Sequence, residues 1–392
     1  MDLKHVRQIL MTETGKIGRR AYIRAAGAGV LGLAVGAVAG YYGGLSTVPP
    51  STGTPSTVTV TQSQAGQTSA VTNPLKIATI GDGPPGTTWA RAILSGEALA
   101  NQLIAETLPD MKLEWRHSWN VKPTDVTTVF EGYIADGVGL FISLLYSQPI
   151  VKGIIEANPS VYFTEPQFTL AETPNASTYE WSLHLGALLS GVVAGGLTKT
   201  NKIGLVAAVL GGEEARAFNC YKQGANVINP NVQAYYASTG EYHDVSLGMK
   251  AGTALISTGC DFLIGLGNGM TDGVIKAAEA AKVYAMGIYA DEQSVAPSAV
   301  VSSTLWKSGK MMADLITMAS TGVWPRTYSQ FLPHPRFQYE LKDQSVALAP
   351  FNPAIPVPDI VPKTIQQLID DNRAGKFDPS HDMTWPPALE IR

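Results

Sequence analysis

Residues 140–145 read Leu-Phe-Ile-Ser-Leu-Leu, a run interrupted by one polar side chain, Ser143. A strand with one face in water alternates apolar and polar residues, whereas a strand covered on both faces is apolar nearly throughout. The run therefore predicts a central strand of a parallel sheet, with helices packed on both of its faces.

Similar β-branched runs lie on both sides of this one and alternate with helical patterns. The first set of predicted strands covers residues 75–80, 113–116, 140–145 and 161–164. A second set covers residues 203–209, 233–236, 262–266 and 284–288. Such alternation is typical of βαβ units. We therefore predict two successive α/β lobes with parallel sheets, joined by a hinge, and a cleft beyond the carboxyl ends of their strands.

The predicted two-lobed domain spans residues 75–380, and residues 381–392 form a tail. We place lobe 1 at about 75–180 and lobe 2 at about 181–290, each completed by a segment that returns from the C-terminal part of the chain. A chain of 392 residues is long enough to give each lobe an apolar core of its own.

The first 44 residues have the composition of an export signal or a signal anchor. Residues 1–24 hold six basic and two acidic side chains, and the apolar run 25–42 follows them. A basic region before such a run is typical of secretory signals, and the arginine pair at 19–20 resembles the twin-arginine type. Cleaved or retained, this leader predicts that the rest of the chain lies outside the cytoplasm, at the cell surface or in a periplasm.

Residues 45–74 consist mainly of Ser, Thr, Gln, Gly, Pro and Val and carry no charge. Such a tract cannot form a core and predicts a stalk, which as extended polyproline II would reach roughly 90 Å. A long spacer is most useful when its N-terminal end is fixed, so we predict a tether to the membrane through the uncleaved leader. The alternative is a free tail after cleavage.

The overall charge and the cysteine count exclude several classes of protein. With 28 basic and 32 acidic residues, the net charge of −4 provides no general attraction for nucleic acid. The two cysteines, Cys220 and Cys260, are too few for a disulfide scaffold, a structural zinc site or an iron–sulfur site. They either form one bridge or, as we expect, remain two buried thiols.

Motifs of the common enzyme classes are missing from the sequence. It contains no G-x-S-x-G elbow, no H-E-x-x-H and no P-loop, and its six histidines lack metal-ligand spacing. The G-x-G-x-x-G at 27–32 lies in the leader, without a preceding strand or an acidic residue about 20 positions later. We therefore predict a binding protein with no catalytic residues, no metal and no cofactor.

Five stretches from residue 198 onward are similar to one known family. They are Thr-Lys-Thr-Asn-Lys-Ile-Gly at 198–204, Arg-Ala-Phe-Asn at 216–219, Gly-Ile-Tyr-Ala-Asp at 287–291, Ser-Ser-Thr-Leu-Trp at 302–306 and Leu-Ala-Pro-Phe-Asn-Pro at 348–353. In this order and spacing they resemble the basic-membrane-protein family of ABC-transporter receptors, which includes purine nucleoside receptors. The resemblance implies a type 1 periplasmic-binding-protein fold with two Rossmann-like lobes. It also implies a purine nucleoside or base as ligand and ABC permease subunits as partners.

The loop after the first predicted strand, residues 81–88, is too rich in Gly and Pro for regular structure and is expected to shape the edge of the cleft. Asp82 and Thr88 of this loop are candidates for polar contacts with the ligand. The resemblance places Trp89 where the family has an aromatic side chain that stacks on the base, an interaction of roughly 1–3 kcal/mol. The alternative is that Trp89 packs between helix and sheet.

Three further candidates of lobe 1 follow predicted strands. Tyr146 and Ser147 come directly after the third strand, and Gln167 follows the fourth. Because the carboxyl ends of parallel strands meet at one edge of a sheet, their positions predict that they line the cleft. Ordinary solvation at a strand end is the alternative.

In lobe 2 the resemblance implies that Arg216 and Asn219 face the ligand from a helix start, and that Asp291 accepts hydrogen bonds from ribose hydroxyls. A carboxylate suits a vicinal diol because each of its oxygens can accept one O–H. Asn268, between two glycines after a predicted strand, and Trp306, at a second cleft position of the family, complete the candidates. For Asp291 the alternative is an exposed turn residue.

Two other functions remain open from the sequence. The same fold would also accommodate a sugar or an amino acid, since an aromatic ring and a carboxylate serve a pyranoside equally well. An exported nucleoside-processing enzyme, such as a nucleoside hydrolase, is the third reading, because catalytic groups can lie far apart in a sequence.

Overall fold

The computed structural model describes residues 72–144, 148–166, 175–321, 336–339, 346–386 and 390–391. The predicted leader and nearly all of the predicted stalk, at residues 1–71, lie outside these ranges. Among the described residues, no helix is both long enough and apolar enough to cross a membrane.

The described chain alternates strands and helices over most of its length. The strands are β1 Leu75–Gly81, β2 Leu113–Ser118, β3 Val138–Leu144, β4 Tyr162–Pro166, β5 Ala176–Trp181, β6 Lys202–Ala207, β7 Gln233–Ser238, β8 Phe262–Leu266, β9 Tyr284–Gly287, β10 Val300–Trp306, β11 Arg336–Tyr339, β12 Val346–Leu348 and β13 Glu390–Ile391. The helices are α1 Thr88–Thr107, α2 Val126–Ala135, α3 Gln148–Ala157, α4 Leu183–Leu197, α5 Gly212–Ile228, α6 Val245–Ser257, α7 Gly269–Ala281, α8 Ser308–Thr321 and α9 Ile360–Arg373.

These strands form two separate sheets. The first has the order β11-β5-β4-β3-β1-β2, and its strand pairs are all parallel. The second has the order β12-β10-β9-β8-β6-β7-β13 and is parallel except where β10 pairs with β12. The prediction of two α/β lobes with parallel sheets is confirmed. We call the lobe built on the first sheet lobe 1 and the other lobe 2.

Both faces of each sheet are covered by apolar side chains. In β1, Ile77 and Ile80 are fully buried in different clusters on opposite faces. In β6, Leu205 and Val206 are divided in the same way. Full burial of one such side chain contributes about 1.5–3 kcal/mol. These strands are therefore apolar nearly throughout because both of their faces are buried, as the sequence indicated.

The chain passes between the lobes more than once, so neither lobe is one continuous segment. After β5 it enters α4, which packs against α5 of lobe 2. After β10 it enters α8, which packs against α1 of lobe 1. The last strand of the first sheet, β11, precedes β12 of the second. Such crossovers are where a hinge between the lobes can lie.

Helices α4 and α5 approach each other closely at glycines. A Cβ atom at Gly191 would lie 2.0 Å from the carbonyl oxygen of Tyr221, and one at Gly224 would lie 2.1 Å from that of Leu188. Side chains at these positions would collide with backbone, so only glycine permits this helix–helix distance. The packing of α4 on α5 thus depends on the glycines of the sequence.

Both cysteines are buried and free, as expected. Burial raises the pKa of Cys220 to about 12 and that of Cys260 to about 11, because apolar surroundings disfavour a thiolate. These residues therefore act as small apolar side chains of the core.

A glycosylation sequon, Asn-Ala-Ser at 175–177, lies inside lobe 1. Asn175 is 3% exposed, and its amide nitrogen donates to three backbone carbonyls at 2.9–3.1 Å, those of Ile155, Asn158 and Val161. The asparagine ties together the end of α3 and the turn before β4, and the folded domain does not offer it to a glycan.

Candidate ligand-binding cleft

The loops at the carboxyl ends of the parallel strands of both lobes meet between the sheets. Lobe 1 contributes the loop after β1 and the first turn of α1, and lobe 2 contributes the loops after β7, β8 and β9. β1 lies between β2 and β3 in its sheet, so the strand order reverses beside it. Open α/β sheets bind ligands at such positions. We call this region the cleft.

One contact across the cleft joins Asp82 of the β1 loop to His243 of the β7 loop. Asp82 Oδ2 and His243 Nε2 are 3.5 Å apart, and each side chain is 28% exposed. The hydrogen bond with Asp82 raises the pKa of His243, and Glu241 of the same loop acts in the same direction. Burial opposes this shift. The imidazolium form is therefore the one that attracts Asp82 and holds the lobes together here.

A second contact joins α1 of lobe 1 to the loop after β9. Arg91 Nη2 donates to Glu292 Oε1 at 2.9 Å, and Arg91 Nη1 donates to the Gly86 carbonyl at 2.9 Å. Glu292 is fully buried, and its other oxygen accepts from the Ile288 N–H at 2.9 Å. Burial raises the pKa of Glu292, Asp272 raises it further, and Arg91 acts in the opposite direction. Because a buried charge is costly unless it is paired, Glu292 depends on Arg91 from the other lobe.

The loops between these two contacts complete a circuit around the cleft. The Tyr242 carbonyl accepts from the Asn268 N–H at 2.9 Å, which ties the β7 loop to the β8 loop. Asp272, in the first turn of α7, lies beside Glu292. Thr88 lies in the first turn of α1. We call this circuit the interlobe ring; its members are Asp82, Thr88, Arg91, His243, Asn268, Asp272 and Glu292.

Six members of the interlobe ring carry a buried polar atom that has no hydrogen-bond partner within the described part of the chain. Thr88 is 0% exposed and Asn268 is 7% exposed. Buried polar groups in native proteins are nearly always satisfied, so a concentration of unsatisfied ones indicates the place of a ligand. The atoms are Asp82 Oδ1, Thr88 Oγ1, Arg91 Nε, His243 Nδ1, Asn268 Oδ1 and Asp272 Oδ1.

Trp89 follows Thr88 in α1 and is 3% exposed within the apolar cluster of lobe 1. Its ring meets Trp119 edge-on, with centroids 5.7 Å apart and planes at 74°. A Cβ atom at Gly81 would lie within 3.1 Å of both indoles, so the small residue makes room for the pair. This is packing between helix and sheet beside the cleft, and a stacking role for Trp89 stays a prediction.

Trp306 ends β10 at a crossover and packs against apolar clusters of both lobes. Its ring stacks on Tyr289, with centroids 3.6 Å apart and planes at 29°, and its backbone N–H donates to the Tyr289 carbonyl at 2.9 Å. Tyr289 has a φ of 69°, a conformation that few residues other than glycine adopt. Such strain persists where the surroundings fix it, here by a stacked aromatic pair at the hinge.

Asp291 does not take the position that the sequence suggested. Its side chain is exposed, and its Oδ1 accepts from the Gln293 N–H at 3.1 Å in a local turn. The buried carboxylate of this loop belongs to the next residue, Glu292. The two oxygens of Glu292 accept from a backbone donor and from Arg91, so Glu292 does not replace Asp291 as an acceptor for ribose hydroxyls, and that role of Asp291 stays a prediction.

Arg216 and Asn219 are not brought into the interlobe ring, which corrects the prediction that they face the ligand. Arg216 Nε donates to the Ser380 carbonyl at 3.0 Å, and Asn219 Nδ2 donates to two further carbonyls of the segment 378–386 at 2.9 and 3.0 Å. That segment has no helix or strand, so its carbonyls need side-chain donors. A spacing of three residues puts both donors on one face of α5, which the segment covers.

Tyr146, Ser147 and Gln167 lie outside the described residues, and their roles stay predictions. At the carboxyl ends of β3 and β4, Ser143 Oγ donates to Glu165 Oε1 at 2.9 Å, and burial raises the pKa of Glu165 to about 8. Within the ranges that the structure describes, no group of three or more His, Cys, Asp and Glu side chains could hold a metal ion.

Four members of the interlobe ring were not predicted from the sequence: Arg91, His243, Asp272 and Glu292. None of them belongs to a known motif. The available signal was their position, since the three from lobe 2 are ionisable residues within six positions of the end of a parallel strand. Arg91, in the first turn of a helix, carries no such signal of its own.

Comparison with known proteins assigns residues 112–348, more than half of the chain, to the family described as ABC transporter substrate-binding protein PnrA-like. The ABC transporter nucleoside-binding protein BmpA of Lactococcus lactis is 23% identical over 265 residues, which cover 63% of this chain and 74% of that protein. A candidate ABC transporter glucose-binding protein of Haloferax volcanii, TsgA13, is 24% identical over 213 residues, 54% of each chain.

Among solved structures, an ABC transporter solute-binding protein from Conexibacter woesei is similar to this chain with a TM-score of 0.61. The match covers 79% of this chain and 100% of that one, at 18% identity. At such identity the likeness concerns the fold alone. It confirms the predicted periplasmic-binding-protein fold.

Proposed function

Because the chain belongs to the PnrA-like family of ABC-transporter substrate-binding proteins, we propose that it captures a purine nucleoside or base in the cleft and delivers it to the permease of an ABC importer. Substrate-binding proteins of ABC transporters bind small molecules outside the cytoplasm, and this chain does the same. They are receptors and not enzymes. The identity of the ligand and the closure of the lobes around it are the parts that we propose.

The observation that carries the proposal is the interlobe ring. Its unpartnered atoms lie on both lobes, so a ligand that satisfies them joins the lobes and favours their closed arrangement. Such a ligand shifts the population toward closure by its differential affinity for the two arrangements. This is the behaviour that a transport receptor needs, since a permease has to distinguish loaded from empty receptors.

Two features support a purine nucleoside as the ligand. The curated relative BmpA is named as nucleoside-binding, although identity is only 23%. Trp89 directly follows Thr88 in α1, and we propose that its indole contacts the base, a stacking interaction that would add roughly 1–3 kcal/mol. The ring acceptors are suited to the hydroxyl groups of a ribose.

A sugar is the second candidate. The acceptors Asp82 Oδ1, Asn268 Oδ1 and Asp272 Oδ1 would accept hydrogen bonds from pyranose hydroxyls as readily as from ribose. The Haloferax relative is named for glucose. The choice between the two ligand classes therefore depends on whether a flat heterocycle adds affinity.

A thermal melting panel tests the proposed ligand class. The purified domain is heated with inosine, adenosine, hypoxanthine, glucose and glutamate, each at increasing concentration. A purine nucleoside at a hundredfold excess over its Kd is expected to stabilise the fold by about 2.7 kcal/mol. If glucose alone raises the midpoint, the purine assignment is wrong. Incubation with inosine followed by chromatography checks for catalysis, and free base would argue for an enzyme.

The leader and the stalk suggest how the receptor is held in place. We propose that an uncleaved leader at residues 1–44 anchors the chain and that residues 45–74 act as a flexible tether. A receptor on such a tether meets its permease at a raised effective concentration. Separation of membranes from the soluble fraction, followed by N-terminal sequencing of the protein, tests the anchor.

A further inference from the structure

The interlobe ring is acidic where lobe 2 faces the cleft. Asp272 and Glu292 lie side by side there, one in the first turn of α7 and one in the loop after β9. Both cationic side chains of the ring already have an acidic partner. Arg91 pairs with Glu292 at 2.9 Å, and His243 lies 3.5 Å from Asp82. Each cation of the ring is therefore paired with a carboxylate, while Arg91 Nε and His243 Nδ1 have no hydrogen-bond partner among the described residues.

The unpartnered atoms of the ring give an independent indication. Oδ1 of Asp82, of Asn268 and of Asp272 can only accept hydrogen bonds, and the hydroxyl of Thr88 can do either. Thr88 and Asn268 are both more than nine-tenths buried, and they come from opposite lobes. A ligand that satisfies the three acceptor oxygens has to bring O–H or N–H donors, and an uncharged acceptor on the same ligand would satisfy Arg91 Nε, since a buried polar atom left unsatisfied is costly.

We propose that Asp272 is a specificity-determining residue of the cleft: its Oδ1 accepts a hydrogen bond from an uncharged ligand, and its charge, beside Glu292, excludes ligands that carry a phosphate or another anionic group. The inference rests on the proposed function, because it names a property of the same cleft. The ligand class is neutral molecules with several hydroxyl or N–H donors. Nucleosides and simple sugars belong to this class, and their phosphates do not.

The local field supports this selection by charge. Burial, and then the negative charge of Asp272, raises the pKa of Glu292, so the site already disfavours one additional negative charge. An anionic ligand would add another to a partly desolvated site in which like charges repel strongly. It would also leave the acceptor atoms unsatisfied. A neutral ligand with donors avoids both penalties.

Matched neutral and phosphorylated ligands test the proposal. Isothermal titration is carried out with inosine and inosine monophosphate, and with glucose and glucose 6-phosphate. For the pair whose neutral member binds, the phosphate is expected to bind at least about a hundredfold more weakly. Asp272→Asn, which keeps an acceptor oxygen and removes the charge, is expected to narrow the affinity gap between the neutral ligand and its phosphate about tenfold or more. Asp359→Asn removes an equal charge at a fully exposed site of lobe 2 and is expected to leave the gap unchanged.

The outcomes separate this inference from the proposed function. A phosphate that binds within tenfold of its neutral partner overturns the role of Asp272, and so does an equal gap in Asp272→Asn and the parent. Glucose binding without inosine binding overturns the purine assignment alone, and the sugar pair then tests the charge selection. Failure of both neutral ligands would count against both proposals. Circular dichroism of each variant verifies that the fold is intact.

Discussion

The side chains that join the lobes are charged residues taken from the two sides of the cleft. Glu292 is fully buried, and among the described residues its ion-pair partner is Arg91 of lobe 1, at 2.9 Å. Removal of one member of a buried ion pair leaves the other charge desolvated and unpaired. Closure of the lobes and the burial of Glu292 are therefore linked. A substitution of Arg91 or Glu292 is expected to change the rate at which the ligand dissociates.

Arg91→Ala is expected to weaken ligand binding at least about tenfold, mainly through faster dissociation, because truncation of one partner of a buried pair acts on the off-rate. Stopped-flow tryptophan fluorescence with the nucleoside that binds measures the rates. Arg116→Ala is the matched control, since within the described ranges that arginine of lobe 1 pairs with half-exposed or exposed carboxylates of its own lobe, Glu114 and Asp136. An unchanged dissociation rate in Arg91→Ala would refute the interlobe role of this pair.

The contact of His243 with Asp82 makes part of the stability depend on pH. The pKa of His243 is raised above its ordinary value of 6.5 by the hydrogen bond to Asp82, with Glu241 also favouring the charged form. A raised folded-state pKa gives a contribution that is fully present below the unfolded pKa and is lost as the pH rises through the folded one. The melting temperature of His243→Asn should thus fall below that of the parent at pH 5.5, and the two should converge by pH 8.5. A constant difference across this range would contradict the assignment.

The sequence located the cleft but not all of its residues. Asp82, Thr88 and Asn268 could be proposed from the sequence because they follow parallel strands, whose carboxyl ends share one edge of a sheet, and their contact with a ligand stays a prediction. Asp291 was chosen over Glu292 because the family pattern favours it, and in a loop no periodicity decides which of two neighbouring acids turns inward. Arg216 and Asn219 failed for another reason: their partners are 160 residues away in the tail, and sequence spacing carries no trace of that contact.

Pairs of helices in this fold are set at distances that only glycine permits. α4 and α5 cross where Gly191 and Gly224 each lie against backbone of the other helix. This close approach could not be read from the sequence pattern. β5 was also missed, because its Ser, Thr and Glu residues hide the apolar alternation.

Gly191→Ala is expected to destabilise the domain by about 1–3 kcal/mol, because the new methyl group would overlap the Tyr221 carbonyl and force the helices apart. Gly132→Ala in α2 is the control, as nothing lies within 4 Å of its would-be Cβ atom. That change should be neutral or stabilise by up to about 1 kcal/mol through its helix propensity. Urea unfolding compares the two. If Gly191→Ala and Gly132→Ala were equally stable, α4 and α5 would be able to move apart without a cost in stability.

The C-terminal segment 378–386 acts on the molecule as a whole, because it ties the end of the chain to lobe 2. Trp385 packs on Phe218 and Tyr236, with centroids 5.6 and 4.4 Å away, and its Nε1–H donates to the Gly211 carbonyl at 3.1 Å. The following strand β13 extends the second sheet beyond β7. The stretch predicted to be a tail is thus a structural part of lobe 2.

Trp385→Ala is expected to cost about 2–3 kcal/mol of stability, less than a fully buried tryptophan because its ring is half-exposed. Met383→Ala in the same segment, with a side chain 48% exposed, should have less than half this effect. Differential scanning calorimetry of both variants provides the comparison. If Trp385→Ala melts like the parent, the segment contributes nothing to the cohesion of lobe 2.

The salt link between Arg91 and Glu292 and the contact between His243 and Asp82 connect one lobe to the other without an intervening guest molecule. Release of the ligand therefore requires that these contacts between the lobes break, in addition to the contacts between the protein and the ligand. The permease that accepts the ligand has to supply the free energy that breaks these contacts. A variant with weaker contacts between the lobes would release its ligand sooner, before it met the permease.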